Sequence, residues 1–384
     1  MDRFADIRPF TPEELPAVYD RLLENPQFRA LVEYFYPQVP IEAVATKMHG
    51  CKTSLEFQKA FAYDVVTGLL KKLSTGWEMD AANVDCRRNY TFMSNHRDIV
   101  LDSAILDVLL VDHGFATTCE IAIGDNLLTV PWVKDLARLN KSFIVRRGLP
   151  MREMLLASKH LSEYIHFAIG EKHENVWIAQ RAGRAKDSDD RTADGVLKML
   201  AMAGEGSVAE RLQALHIVPL AISYEYDPCD FLKAQEFQAR RDNPKWKKGP
   251  TDDLVSMRTG ILGYKGHVHY HCAPCMDEWL GKLPADMPKA ELFKAVCDHV
   301  DGEIHRNYRL YPANYVAWDE LEGGTAHAEH YTDADRNRFD KYLAGQLGKV
   351  TLEKPDADFL WERMLTMYAN PAINKERAMA ANSL

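Results

Sequence analysis

Between residues 88 and 272 short apolar runs alternate with stretches of helical character, and that alternation most narrows what the chain can fold into. Tyr90–Met93, Ser142–Arg146, Val176–Ala179 and His216–Tyr224 read as buried strands. Gly266–Cys272 alternates apolar and polar residues and reads as a further, half-exposed one. Val100–Val111, almost continuously apolar, and the amphipathic stretch Met151–Ile169 are predicted helices between them. Strands separated by helices imply an α/β fold, a mixed central sheet flanked by helices on both faces.

The flanks read differently. Thr11-Pro12-Glu13-Glu14 has the marks of a helix start, with a capping Thr, an early Pro and acids in the first turn. Asn25-Pro26 breaks that segment, and a second helix is expected over Gln27–Tyr36. Ser54–Leu73 follows as a long helix in which Phe57, Phe61, Val65, Leu69 and Leu73 recur every fourth residue, a stripe read as core packing rather than as a ligand pocket. The expected organisation is a helical N-terminal module (1–80), an α/β domain (81–315) and a C-terminal helical extension (316–384).

Composition excludes several classes. Hydrophobic residues at 46% and charged residues at 27% are those of a globular protein, and no window supplies the run of roughly 18 apolar residues that a spanning helix needs. Seven scattered cysteines are too few and too irregular for a disulfide scaffold, and the N-terminal residues lack the pattern of a signal peptide, which together point to a reducing cytoplasm. The net charge of −9 argues against nucleic acid as a partner. Locally the balance reverses: Arg240, Arg241, Lys245, Lys247 and Lys248 surround Trp246, a composition that suits an anionic lipid surface and equally a solvated loop.

Open α/β sheets bind ligands beyond the carboxyl ends of their strands, so the residues found there carry the chemistry. Ser94-Asn95-His96 follows the first strand, and Asp102 lies six residues after His96. An imidazole at a strand-to-helix turn with a carboxylate a turn or two later is a general base with its orienter. Arg146-Arg147-Gly148 follows the next strand, Gln180-Arg181-Ala182-Gly183-Arg184-Ala185-Lys186 the third, and Glu225 the fourth. Guanidinium groups grip phosphate bidentately, so a base beside them suits transfer to a phosphorylated alcohol.

These blocks, in order over residues 90–225, resemble the glycerolipid acyltransferase superfamily, the glycerol-3-phosphate and lysophosphatidate acyltransferases. Ser94-Asn95-His96 with Asp102 is similar to the catalytic His-plus-Asp block, and Phe143-Ile144-Val145-Arg146-Arg147 to the block whose arginine binds glycerol phosphate. Val176–Arg184 is similar to the third block and Ile217–Glu225 to the Pro-containing fourth, in the version found in glycerol-3-phosphate enzymes. Two positions depart from the pattern. The family places its acid where Leu101 stands, so Asp102 is one residue late and Asp98 is an alternative partner for His96; Gln180 stands where an acid is usual.

The resemblance implies direct acyl transfer, with His96 and Asp102 catalytic and Asn95, Arg146, Arg147, Gln180, Arg184 and Lys186 binding substrate. It implies an acyl-CoA or acyl-carrier protein donor as a substrate, no cofactor and no metal. It implies glycerol 3-phosphate as first acceptor, with lysophosphatidate or an amino-acid-containing lipid precursor as competitors. It also implies a protein peripheral to the inner face of a membrane. The rival readings are a catalytically silent lipid-binding module on the same fold, and a metal site on His267, His269 and His271 with Cys272 and Cys275, which by itself is half a zinc site. A serine hydrolase is set aside because the chain contains no Gly-x-Ser-x-Gly elbow.

Overall fold

A computed structural model of the chain describes residues 2–249 and 251–381. At its centre lies a seven-stranded sheet: β1 (Ser74–Asp80), β2 (Thr91–Ser94), β3 (Cys119–Gly124), β4 (Ser142–Val145), β5 (Asn175–Ala179), β6 (Ile217–Tyr224) and β7 (Gly266–Cys272). The order is β1-β7-β6-β2-β5-β3-β4, and every neighbouring pair is parallel except β6 and β7. Five strands, β2 to β6, therefore end on one edge of the sheet, with β2 between β5 and β6 at its middle.

The mixed sheet flanked by helices is the expected fold, and its side chains alternate as strand geometry requires. Phe92, Trp177, Val218 and Leu220 face one core together with Ile105 and Leu109 of the Leu101–Asp112 helix. Met93, Val176, Ile178 and Ile217 face the other, under the Met151–Gly170 and Lys289–Arg306 helices. Two strands escaped the sequence reading. β1 lies inside the segment assigned to the helical module; it carries Gly76 and mostly half-exposed residues, because it is an edge strand paired only to β7. β3 is short and two of its residues are Glu120 and Gly124.

The domain limits shift accordingly. The sheet begins at Ser74 rather than after residue 80, and a limit at 315/316 would cut the Pro312–Glu322 helix, which packs with the Asp333–Leu347 and Ala357–Ala381 helices around Trp318, Phe339, Leu343 and Met364. The N-terminal helices, Leu15–Glu24, Pro26–Phe35 and Ile41–Gly50, have a core of their own that reaches Leu139 and Trp132 of the α/β part. The expected continuous helix over 54–73 is interrupted by a π-helical segment, Gln58–Ala62. Such segments are frequent where a helix borders a functional site.

Candidate active site

β2 ends at Ser94, level with Ala179 at the end of β5, so the residues that follow on these two strands emerge side by side, while β6 runs on past Leu220 to Tyr224. Asn95 stays inside: its Nδ2 donates to the Ile222 carbonyl (2.9 Å) and its Oδ1 accepts from the Ile222 amide (2.8 Å). The amide side chain thus stands in for the ladder where β2 leaves the sheet, and holds the next residue at a fixed height.

That residue is His96. Its Nδ1 lies 2.7 Å from Asp102 Oδ2, and the same oxygen accepts from the backbone amides of Arg97 (2.6 Å) and Asp98 (3.1 Å). A carboxylate oxygen only accepts, so Nδ1 carries the hydrogen and Nε2 keeps its lone pair. Trp177 Nε1 donates to Ser94 Oγ (3.0 Å), and its ring meets the imidazole edge-on at 5.5 Å. His96 is thus held by Asp102 and by the Trp177 ring.

The extra residue between His96 and Asp102 is absorbed by Asp98. Its Oδ1 accepts from the amides of Val100 (2.9 Å) and Leu101 (2.8 Å), folding the chain into a turn that starts the Leu101–Asp112 helix. Asp98 is therefore occupied as a cap, and Asp102 in the first helical turn is the carboxylate that reaches His96. Burial and the neighbouring Asp102 carboxylate both push the Asp98 carboxyl above its ordinary range.

His96 borders a cavity of about 1020 Å³. One end is cationic, lined by Arg147, Arg181, Arg184, Lys186, Arg240 and Lys248. Lys186 and Arg240 each pair with Glu236 at 2.7 Å, and Lys248 pairs with Asp253 at 2.6 Å. Among the described residues no carboxylate lies within ion-pairing distance of Arg147, Arg181 or Arg184, and one terminal nitrogen of Arg184 is buried without a partner. Gly124 has no side chain to obstruct Arg147: a Cβ there would lie 3.4 Å from its Nε.

The other end is apolar and runs along the Leu101–Asp112 helix, where Val100, Ser103, Ala104, Asp107, Val108 and Val111 form one lining face. Three turns of helix give it a length of about 16 Å. Its opposite wall comes from the N-terminal module, including Phe28, Val32, Met48, Phe57, Phe61 and Val65. The stripe expected to be core is thus corrected: Phe57 and Phe61 are buried in the module's own core and also face the cavity. Apolar spacing alone does not distinguish a wall from an interior, since both exclude water.

Three expected substrate residues do not line this cavity. Arg146 turns away to Asp6 (2.6 Å), Asn95 is taken up by Ile222, and Gln180 is fully buried at the end of β5, where its backbone continues the ladder to Ser94 (2.8 Å). Arg147, Arg184 and Lys186 do line it, and Arg181, not singled out from sequence, joins them. Its signal was present: it is the second residue after β5, as His96 is the second after β2.

The histidines of β7 do not gather with the cysteines. Cys272 points into the opposite core beside Met79, while His267, His269 and His271 lie on the other face. Three potential ligands, His216, Cys275 and Asp277, do lie within 4.8 Å of one another, but the Arg88 guanidinium already reaches both His216 (3.3 Å) and Asp277 (3.2 Å).

A strand-end imidazole with a buried carboxylate, facing free guanidinium groups and a long apolar channel, can hold an anionic group and an apolar chain beside a general base. Residues 79–223 match the family model described as Acyltransferase, and they span the sheet from β1 to β6 with His96, Asp102 and all three free arginines. These residues form an acyltransferase domain within the chain. Among solved structures the chain is similar to a 1-acyl-sn-glycerophosphate (LPA) acyltransferase, PlsC, from Thermotoga maritima, at 12% identity and a TM-score of 0.40 over 76% of this chain and 97% of that one. No curated protein matches it in sequence. Among the described residues no helix is long and apolar enough to cross a membrane.

Proposed function

We propose that this protein transfers a fatty acyl group from acyl-CoA or acyl-carrier protein to the hydroxyl of a phosphorylated glycerol, glycerol 3-phosphate first, at a membrane surface on the cytoplasmic side. One observation carries the reading: the free nitrogen of a carboxylate-held His96, three unpaired guanidinium groups and an apolar channel open into the same cavity. The fourth sequence block, Ile217–Glu225, supports glycerol 3-phosphate over a lysophospholipid as acceptor.

The acceptor phosphate lies against Arg147, Arg181 and Arg184, and the acyl chain lies along the Leu101–Asp112 helix. Nε2 of His96 removes the proton of the acceptor hydroxyl as its oxygen attacks the thioester carbonyl carbon. The C–S bond then breaks, and the thiolate takes up the proton that His96 holds, giving ester and free thiol. Asp102 stabilises the imidazolium formed in between. A positioned base contributes ~10²–10⁴-fold. Holding both substrates in register contributes up to ~7–11 kcal/mol, the larger share.

The test is thiol release from palmitoyl-CoA by purified protein, with and without glycerol 3-phosphate. Release that needs the acceptor and disappears in His96→Ala is the expected result. Release without acceptor would make the protein a thioesterase. No release with any donor or hydroxyl acceptor, acyl-carrier protein and lysophosphatidate included, would make it a lipid-binding protein on this fold.

A further inference from the structure

We infer that the mouth of the cavity docks on an anionic lipid bilayer through the first turns of two helices, Met151–Gly170 and Asp252–Leu262. This deepens the membrane-surface part of the proposed function and rests on it, though not on acyl transfer itself.

Among the described residues eleven large apolar side chains are exposed, and six of them lie in these first turns: Met151 (83%), Met154 (49%), Leu155 (61%), Leu156 (63%), Leu254 (47%) and Val255 (48%). An isolated exposed Leu is ordinary; six gathered at the starts of two helices that border one cavity are not. Met151, Met154 and Leu155 belong to a stripe that continues one turn on to Ser158 and then Leu161, both on the cavity wall, and Leu161 is core. The stripe therefore runs from solvent, past the cavity rim, into the protein without a change of face. Leu254 lies one turn before Met257, which lines the same cavity from the other helix, and Val255 is its exposed neighbour.

Charge selects the occupant. The stretches 146–159 and 240–258 hold ten Lys or Arg against four Asp or Glu, in a chain of net charge −9. The acids are Glu153, Asp242, Asp252 and Asp253; Arg146, Lys159, Arg240, Arg241 and Lys248 are already paired with carboxylates, which leaves Arg147, Arg152, Lys245, Lys247 and Arg258 to face an anionic surface. Trp246 sits among the cations, with the Arg240 guanidinium 5.6 Å from its ring centre. Apolar side chains ringed by Lys and Arg, with an indole between, match the interface of an anionic bilayer; an acidic protein would match the charge but leave the Met and Leu residues in water. An apolar product leaving the cavity here would pass directly into lipid.

The experiment is cosedimentation of the full chain with vesicles of phosphatidylglycerol and phosphatidylcholine, against vesicles of phosphatidylcholine alone. Wild type is expected to bind the anionic vesicles and to be released by salt. The variant Met151→Ser/Leu155→Ser/Leu254→Ser, whose three sites are exposed and off the cavity wall, is expected to bind at least about tenfold more weakly, as is Lys245→Glu/Lys247→Glu. Thiol release with soluble substrates should be unchanged in both. No binding of wild type, equal binding to neutral vesicles, binding of the triple variant at the wild-type level, or binding of acyl-carrier protein in place of vesicles would each overturn the inference. Vesicle binding by a protein that releases no thiol would defeat the acyl-transfer reading and leave the docking face standing.

Discussion

Asp102→Asn is the substitution that tests the site most sharply, because two carboxylates lie near His96 and the geometry assigns them different work. The Asn oxygen can occupy the place of Oδ2 and keep the bonds from His96 Nδ1 and from the amides of Arg97 and Asp98. What goes is the charge. At 2.7 Å and an effective dielectric constant of about 20, a carboxylate and an imidazolium attract by roughly 6 kcal/mol, a ceiling of about four decades in rate. The neutral amide still accepts, so a fall in kcat of about 10²–10⁴ is expected. The new amide nitrogen would take the position of Oδ1, which is buried with no partner, at ~1–3 kcal/mol of stability; a thermal melt must show the variant folded. Asp98→Asn is the control. Its oxygen keeps the caps on Val100 and Leu101, and losing only the charge assistance should cost about fivefold at most. Steady-state thiol release decides: Asp102→Asn retaining more than a tenth of wild-type kcat, or Asp98→Asn falling as far, would refute the assignment.

Arg184→Ala is expected to raise the KM for glycerol 3-phosphate by about 10–100-fold, the value of one or two charge-assisted bonds, whereas Arg146→Ala, which breaks a half-exposed pair with Asp6, should stay within about threefold; equal effects would return Arg146 to the phosphate site. Val111→Phe fills the channel three turns from His96 and should lower kcat/KM for palmitoyl-CoA at least about tenfold more than for a donor several carbons shorter, and a uniform loss would mean that the chain lies elsewhere. Burial pushes the Asp107 carboxyl up to about 7, above its unfolded value near 4. In that window the folded state binds more protons than the unfolded, so stability from this group falls as pH rises from 4 to 7. Urea unfolding at pH 5 and pH 7.5 should show a smaller difference in Asp107→Asn than in wild type, and an unchanged difference would place the linkage on Asp230, also raised to about 7 by burial.

The interior of the sheet was legible because β2, β4, β5, β6 and β7 are apolar or strictly alternating, the two patterns that burial on two faces or one face imposes. β1 and β3 were not. Ser74, Gly76 and Glu78 have little strand propensity, and β1 is held by its pairing to β7, a contact between residues nearly two hundred apart that no local window contains. The helix at Asp252–Leu262 was missed for a related reason: only Ser256 and Gly260 are buried, so its inward face carries small residues, and the close approach is visible only at Gly260, where a Cβ would overlap the Asp98 carboxylate.

At the site, the identity of the strand ends was readable and the direction of each side chain was not. Arg146 and Arg147 follow the end of β4, where they turn to different sides, and nothing in the dipeptide says which side holds the substrate. The structure puts Arg147 across Gly124 and sends Arg146 to Asp6, a residue of the N-terminal segment that sequence placed in another unit. The same segment's helices supply half of the apolar wall. A Phe at every fourth position buries equally well against protein or against a lipid chain, and the two differ only in whether the facing volume is filled. Here it is open, for about three turns of the facing helix, beginning at the imidazole. The N-terminal module therefore walls the cavity, and removing it should abolish handling of long-chain donors even if the α/β sheet still folds.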